Sequence, residues 1–215
     1  MSTCLVVIAL LAPARAPTED AEAVRKESLK LISDLADILK SVKDKAGAEA
    51  ALPKLKAIDQ RLTAQKKKLN DLKLSDEELT QVETRLKDSS AATLKAWEPE
   101  LQRVEKLPEV YALLVKEVAY FKELDEAKTT LARVRIQLID FVIREYQQNT
   151  NELPKSLKVL TAGDKPALAA DALLDPWKKP FQYDAAGPKN KGKKPDVWTV
   201  TPDKRVIGNW EAEKK

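Results

Sequence analysis

Histidine is absent from this sequence, and the one cysteine, Cys4, lies near its N-terminal end. A histidine general base, a histidine-ligated metal, a Cys/His dyad and a disulfide framework are therefore excluded. Glycine is scarce as well, with 5 in 215 residues. No aromatic residue lies between Thr18 and Ala96, whereas five lie between Asp171 and Trp210. This uneven distribution predicts a helical N-terminal part and a differently built C-terminal part.

The charge balance gives little support for nucleic-acid binding. Charged residues make up 33% of the chain, but the formal net charge is only +4. Residues 151–215 carry 13 Lys and Arg against 9 Asp and Glu, so the whole excess is C-terminal. Nucleic-acid-binding domains usually carry a stronger basic surface. We therefore expect no nucleic-acid partner.

The longest apolar run, Leu5–Ala12, is far shorter than the roughly 20 residues of a membrane-spanning helix. It leads into Ala12-Pro-Ala14 and Ala14-Arg-Ala16, which both have the A-x-A form of a signal-peptidase site. We predict a signal peptide over residues 1–16 and a periplasmic or secreted mature chain without a stable membrane span. An ordinary buried helix start is the alternative.

Residues 17–106 have the periodicity of a helical bundle or coiled coil. Apolar residues recur at helical spacing from about Glu19 to Ser41 and again from Leu55 to Leu72. We expect Ala46-Gly47 to separate these two helices.

A third helix is predicted to start at about Asp76, because Ser75-Asp-Glu-Glu78 is a capping box. Its apolar positions continue through Trp97 and Leu101 to Val104. Pro99 lies inside this pattern and is expected to kink or end the helix.

Residues 107–215 are predicted to contain a long helix followed by a small domain. Pro108 suits a first helical turn, and neither glycine nor proline occurs between Glu109 and Gln148. One helix of about 40 residues is predicted, about 60 Å long, and it stops at Asn149-Thr-Asn151. The alternative is a break near Leu124-Asp125. We expect the face formed by Leu138, Phe141 and Val142 to cover the domain that follows.

Short strand-like runs separated by turn signals follow the helix. They are Phe181–Tyr183, Val197–Val200 and Arg205–Ile207, with a Thr-Pro-Asp-Lys turn before the last. The pattern predicts a small antiparallel three-stranded sheet. The predicted fold class is therefore α+β, with an N-terminal helical bundle, a long helix and this sheet.

The sequence contains no convincing catalytic motif. The loop Gly187–Lys194 formally matches G-x-x-x-x-G-K, but Lys194 stands where a phosphate-binding loop needs Ser or Thr. Pro195 and a strand follow it, so no helix N-terminus is available for the phosphate. Neither G-x-S-x-G nor S-x-x-K occurs. We therefore predict no catalytic residues, no bound cofactor and no enzymatic activity.

The segment Asp175-Pro-Trp-Lys-Lys-Pro-Phe-Gln-Tyr183 is the most distinctive feature of the sequence. It resembles the L-x-D-P-W-G-N-P-Y-x-Y signature of the major, G-type pseudopilin of type II secretion systems. Asp196-Val-Trp-Thr-Val-Thr-Pro-Asp203 is similar to that family's D-I-W-S-x-G-A-D, and Ile207–Trp210 to its I-G-N-W. The resemblance covers about Leu131 to Trp210.

The resemblance implies a non-enzymatic structural or adaptor protein, associated with protein secretion or a pilus-like assembly and with protein partners in the cell envelope. Residues 19–105 depart from the family, because they form a charged helical region in place of the G-F-T-L-x-E motif and its apolar helix. A stand-alone extracytoplasmic binding module that reuses the domain is the alternative.

The resemblance also implies a calcium site in the loop before I-G-N-W. Here that loop shrinks to Lys204-Arg-Val206, with two positive charges and no added carboxylate. Calcium takes six to eight oxygen ligands, and Asp203 is a remnant of such a site. We expect no bound metal. We also expect Trp177, with Phe181 and Tyr183, to form the core of the domain, and we interpret Trp198 and Trp210 as core residues too.

Overall fold

A computed structural model describes residues 17–163 and 165–210, so the predicted signal peptide lies outside the described residues. In these ranges helices precede a three-stranded antiparallel sheet, which confirms the predicted α+β class. None of the described helices is long and apolar enough to cross a membrane. The elements are α1 Pro17–Ser41, α2 Lys45–Asp71, α3 Asp76–Arg85, α4 Lys87–Glu105, α5 Pro108–Glu117, α6 Ala119–Thr150, β1 Gln182–Asp184, β2 Asp196–Val200 and β3 Val206–Gly208.

The first hydrophobic core lies between α1, α2, α4, α5 and the start of α6. Leucines at helical spacing on α1 are fully buried in it, and aromatic rings from α4 and α6 pack against one another there. Arg103 of α4 donates hydrogen bonds to the backbone carbonyls of Leu39 and Val42, at the end of α1. The long amphipathic stripes therefore pack as predicted, and a cation satisfies the C-terminal carbonyls of α1.

The helix break at the end of α1 precedes Gly47, which lies in the first turn of α2. The Asp44 carboxylate accepts a hydrogen bond from the backbone N–H of Gly47 at 2.8 Å and caps α2. The prediction that Ala46-Gly47 separates the helices is therefore wrong by a few residues, because an aspartate N-cap stabilises the helix start more than one glycine weakens it.

The capping box at Ser75 is present, and α3 begins at Asp76 as predicted. The next break falls at Leu86, however, and Pro99 lies within α4. Pro99 and Lys95, one turn earlier, are both exposed. Water can therefore bind the Lys95 carbonyl that proline leaves without a helical donor, and the helix continues.

The predicted long helix is divided at Val118, which has an extended backbone between α5 and α6. The Asp59 carboxylate of α2 accepts hydrogen bonds from the backbone N–H groups of Ala119 at 3.1 Å and Tyr120 at 2.8 Å. The first N–H groups of α6 are thus capped from a distant helix. A continuous helix and a break near Leu124 are both wrong. The end of α6 is as predicted, with Asn151 left-handed.

A second hydrophobic core lies between α6 and the C-terminal part, so α6 contributes to both cores. Its covering face consists of Ala132, Ile136, Ile139, Val142 and Ile143. The predicted face is wrong for Leu138 and Phe141, which are 46% and 52% exposed. These two side chains belong to a solvent-facing row that we call the α6 stripe, formed by Leu131, Val134, Leu138 and Phe141.

The sheet is an antiparallel meander in the order β1-β2-β3, as predicted. Gln182 pairs with Trp198, and Trp198 pairs with Gly208. Val197 and Ile207 are buried against α6. The division of the chain at residues 106 and 107 stays a prediction.

Candidate functional site at the junction of helices and sheet

The Asp175-Pro-Trp177 turn is held by one buried carboxylate. Asp175 is fully buried, and its Oδ1 accepts hydrogen bonds from the backbone N–H groups of Trp177 at 2.9 Å and Lys179 at 2.8 Å. The Thr199 hydroxyl of β2 donates to Oδ2. Asp175 is thus enclosed by groups of its own chain, and its role is to fix the turn against the sheet.

Trp177 is 5% exposed and packs in the second core together with Phe181, Val197 and Ile207. Tyr183 is partly buried against the same core. The structure therefore places the aromatic residues of the motif where the sequence predicted them. Trp177 also reaches the helical bundle, because its Nε1 donates a hydrogen bond to the Tyr111 hydroxyl at 3.4 Å.

Trp198 and Trp210 lie outside the core. They are half-buried and pack against each other with ring centroids 6.1 Å apart. Gly208 leaves room for this contact, since a Cβ there would come within 2.5 Å of the Trp210 ring. The interpretation of these two tryptophans as core residues is therefore wrong, and Gly208 is required by a close ring contact.

A buried network joins the bundle to the turn between β2 and β3. The Tyr111 hydroxyl of α5 donates a hydrogen bond to Asp125 of α6 at 2.9 Å, and Arg205 Nη2 donates to the other oxygen of Asp125 at 2.6 Å. Burial raises the pKa of Tyr111 far above its ordinary value, so this hydroxyl keeps its proton. Asp125 is 4% exposed, and its charge is compensated by Arg205.

A second ion pair lies in the same region. Lys128 Nζ of α6 lies 2.5 Å from Glu105 Oε1 of α4, with both side chains largely buried. Burial raises the pKa of Glu105, and the Lys128 ammonium opposes that rise. These two ion pairs connect α6 to the bundle and to the turn between β2 and β3.

The turn at Asp203 does not fit calcium. Asp203 Oδ1 accepts a hydrogen bond from the Thr201 hydroxyl at 2.5 Å, and Asp203 Oδ2 accepts one from Arg205 Nε at 2.6 Å. Asp196 lies at the other end of β2. The described residues contain no group of three or more acidic, His or Cys side chains that could hold a metal. The Arg205 guanidinium donates hydrogen bonds to the carboxylates of both Asp203 and Asp125. The positive charge beside these two carboxylates is therefore an arginine side chain of the same chain and not a metal ion.

The lysine-rich loop Gly187–Lys194 is folded around a carboxylate from its own chain. Asp196 accepts hydrogen bonds from the backbone N–H of Lys189 at 2.8 Å and from the backbone N–H of Asn190 at 3.0 Å. Two backbone N–H groups of the loop therefore point at an anion, as in a phosphate-binding loop, but the anion is the Asp196 carboxylate of the same chain. Lys194 is bound to Asp140 of α6 at 3.2 Å. The N–H groups of Lys189 and Asn190 and the Lys194 ammonium are therefore not available to bind a phosphate.

An apolar groove of about 550 Å³ lies beside the Asp175 turn. Leu157, Leu173 and Phe181 contribute to its lining, and Lys155 and Lys158 are exposed at it. The Tyr183 hydroxyl is buried in this region with no hydrogen-bond partner among the described residues. Burial raises the pKa of Tyr183, and the nearby Asp184 carboxylate adds to the rise.

Sequence reasoning missed the junction residues Tyr111, Asp125 and Arg205. The available signal was Asp125, which follows Phe121 by four residues and precedes Thr129 by four. A polar residue on the apolar face of a helix is expected to have a buried partner. The apolar periodicity of α6 instead favours the α6 stripe as the buried face, and Asp125 does not lie on that stripe.

Comparison with known proteins supports the resemblance of the C-terminal region. The family model described as "Type II secretion system (T2SS), protein G" matches residues 119–214. Neither the curated proteins nor the solved structures contain a match to this chain. The matched region begins at Ala119, the first residue of α6. From α6 onward, the chain is similar to the pseudopilin G of type II secretion systems, as its motifs predicted.

Proposed function

We propose that this protein is an exported, non-enzymatic structural or adaptor protein that acts in type II secretion or a related pilus-like assembly. The observation that carries the proposal is the match of residues 119–214 to type II secretion protein G. The buried Asp175-Pro-Trp177 turn and the three-stranded meander support it. Its partners are proteins of the cell envelope, and its location is extracytoplasmic.

An adaptor role is favoured by what precedes the matched region. In this chain α6 starts inside a charged helical bundle, where Phe121 is buried and Asp59 caps its first turn. Salt bridges between helices, such as Lys56–Glu117 and Lys66–Glu123, cover the outside of this bundle. The first turns of α6 are therefore packed within their own chain, and the bundle adds a surface for a second protein.

The experiment is an affinity purification of the tagged full chain from the envelope of its own host after in vivo crosslinking. We expect components of a secretion or pilus-like assembly, and we expect deletion of the gene to reduce secretion. Trp177→Ala should lose these partners, whereas Trp198→Ala, at a half-buried position, should retain them. A cytosolic protein, or unchanged secretion with no such component recovered, would contradict the proposal.

A stand-alone extracytoplasmic binding module is the second candidate, and the groove beside Lys155 and Lys158 favours it. An apolar floor with two lysines suits a segment with apolar and acidic side chains. Replacing both lysines by glutamate would then remove a bound partner while secretion stays normal. Reduced secretion on deletion of the gene separates the first candidate from this one.

A further inference from the structure

The α6 stripe is a contiguous apolar surface on a helix whose opposite face is already buried. Its four side chains are between 43% and 54% exposed. Ile136, Ile139 and Ile143 fill the second core from the other side of the helix. Single exposed apolar residues are ordinary, whereas a row of large ones along one helix face indicates a contact surface.

The stripe continues a packed seam of the same helix. Tyr120 and Leu124 lie on that seam and pack against the first core. From Leu124 onward the seam runs through Ala127 and the stripe with alternating steps of three and four residues. This spacing is typical of a helix that packs lengthwise against another helix. The bundle therefore covers the seam up to Leu124, and within the described residues nothing covers it after Ala127.

We propose that a second copy of this chain covers the α6 stripe, with the two α6 helices antiparallel and a two-fold axis level with Ile136. The steps along the stripe are three, four and three residues, so the row reads the same in both directions. Leu131 then packs opposite Phe141 of the second copy, and Val134 opposite its Leu138. One self-complementary surface serves both copies, as an isologous interface requires.

Charges beside the stripe match this arrangement. Glu126 and Arg144 lie on the same side of α6, and both are exposed. In the antiparallel register Glu126 lies beside Arg144 of the second copy, and the two-fold axis repeats the pair. Neither side chain forms an ion pair within the part of the chain that the structure describes; Arg144 makes only a long hydrogen bond, 3.4 Å, to the Asp140 carbonyl.

The area of the surface sets the expected strength of the dimer. The seam from Ala127 to Glu145 is about 28 Å long and about 10 Å wide, which gives about 300 Å² per copy. Stable interfaces bury about 800 Å² per partner. We therefore expect a weak dimer that forms with rising protein concentration. This self-association does not depend on the proposed role in secretion.

Sedimentation equilibrium of the full chain tests the proposal over concentrations from about 5 to about 500 µM, the range of weak association. We expect the average mass to rise toward twice that of the monomer. Leu138→Glu should keep the chain monomeric, whereas Leu94→Glu, at a 54% exposed leucine of α4, should not. Glu126→Arg should weaken the dimer, and adding Arg144→Glu should restore it.

Cysteine crosslinking tests the register in a Cys4→Ser background. A mixture of Ala127→Cys and Glu145→Cys chains should form disulfide-linked dimers, and either chain alone should form few. A monomer at every concentration would overturn the proposal. So would a dimer that Leu138→Glu leaves intact, or efficient crosslinking of Ala127→Cys with itself. A monomer that binds anionic phospholipid vesicles through Leu138 would assign the stripe to lipid and would also overturn it.

Discussion

The helical bundle and the sheet region are stabilised by different kinds of interaction. Among the described residues, helices α1 to α5 bury one charged side chain, Glu105, and otherwise fill their core with aliphatic and aromatic residues. Of the described residues after α6, the sheet region buries four polar or charged ones, Asp175, Asp196, Thr199 and Thr201. Individual buried hydrogen bonds therefore add to the apolar core in the sheet region, whereas apolar contacts dominate in the bundle.

This difference predicts where single substitutions are most harmful. Apolar residues of similar size can replace one another in a core at small cost. A buried donor that loses its acceptor remains unsatisfied, which costs more than an average hydrogen bond contributes. We therefore expect the sheet region to be the more sensitive part of this chain.

The largest effect is expected from Trp177→Ala. Removing a buried tryptophan ring typically costs about 3–5 kcal/mol, and here it also removes the hydrogen bond to Tyr111. The sheet region should unfold at a clearly lower temperature or urea concentration, as measured by near-UV circular dichroism. Trp198→Ala is the control, because that ring is half-buried, and it should cause a smaller loss. An unchanged midpoint for Trp177→Ala would show that the turn does not depend on its ring.

The cost of losing a hydrogen-bond acceptor can be compared between the two regions, because each contains an aspartate that accepts backbone hydrogen bonds. Asp175→Ala leaves the backbone N–H groups of Trp177 and Lys179 and the buried Thr199 hydroxyl without their acceptor, and it should cost about 3 kcal/mol. Asp44→Ala removes the exposed cap of α2 and should cost about 1 kcal/mol. Urea unfolding of both variants measures the difference. Equal losses of unfolding free energy in the two variants would mean that burial of the acceptor has little influence on stability and that the two regions respond alike.

A stabilising substitution is expected at Lys178. This residue has φ +63°, and the pseudopilin motif has glycine at its position. A left-handed backbone costs a side-chain-bearing residue about 1–2 kcal/mol, part of which glycine returns through its greater freedom when unfolded. Lys178→Gly should therefore stabilise the sheet region by about 0.5–1 kcal/mol in thermal unfolding. Lys179→Gly, at a residue without a positive φ, should not. Destabilisation by Lys178→Gly would show that the lysine side chain contributes to the turn.

The contribution of Asp203 should depend on pH. Burial alone would raise its pKa, but hydrogen bonds from Arg205 and Thr201 outweigh burial and hold that pKa below the ordinary 3.8. The resulting stability is present above pH 3.8 and is lost as the pH falls through the lower folded-state value. Asp203→Asn should therefore be less stable than the parent chain at pH 7, and the difference should shrink as the pH falls below 3.8. A constant difference across this range would show that charge is not the cause.

The smallest effect is expected from calcium. A ligand that binds only the folded state raises stability by about 2.7 kcal/mol at a hundredfold excess over its Kd. Arg205 already holds Asp203 and Asp125, so a divalent cation would meet a fixed positive charge there. Thermal unfolding in millimolar calcium and in chelator should give the same midpoint. A rise of several degrees that Asp203→Ala removes would show a working site.

Local patterns predicted the elements of this fold where neighbouring residues determine them. The capping box at Ser75 placed the start of α3, and alternation of side-chain type located the three strands. The break at Val118 was not predictable in this way. It depends on Asp59, which lies about 60 residues earlier and caps α6 only after the helices have packed. Long-range caps of this kind leave no local signal.

Helix α6 shows a second limit of pattern analysis. Both of its faces are apolar, so periodicity alone cannot say which face the sheet covers. The prediction chose Leu138 and Phe141, whereas the structure uses Ile136, Ile139 and Ile143. The buried charge at Asp125 lies on the correct face, and its partner Arg205 lies 80 residues away. Only the packed fold brings these two residues together.

Because α6 belongs to two cores, it restricts the order in which this chain can fold as it emerges from a ribosome. The first core includes Tyr111 and Phe121, so it cannot close until more than half of the chain has emerged. Once closed, it holds the first turn of α6 through Asp59, and the rest of the helix can extend from that fixed start. Helix nucleation is the unfavourable step, and a closed bundle can supply the first turn of α6 before the sheet residues emerge. The C-terminal strands then meet a finished helical surface on which to assemble.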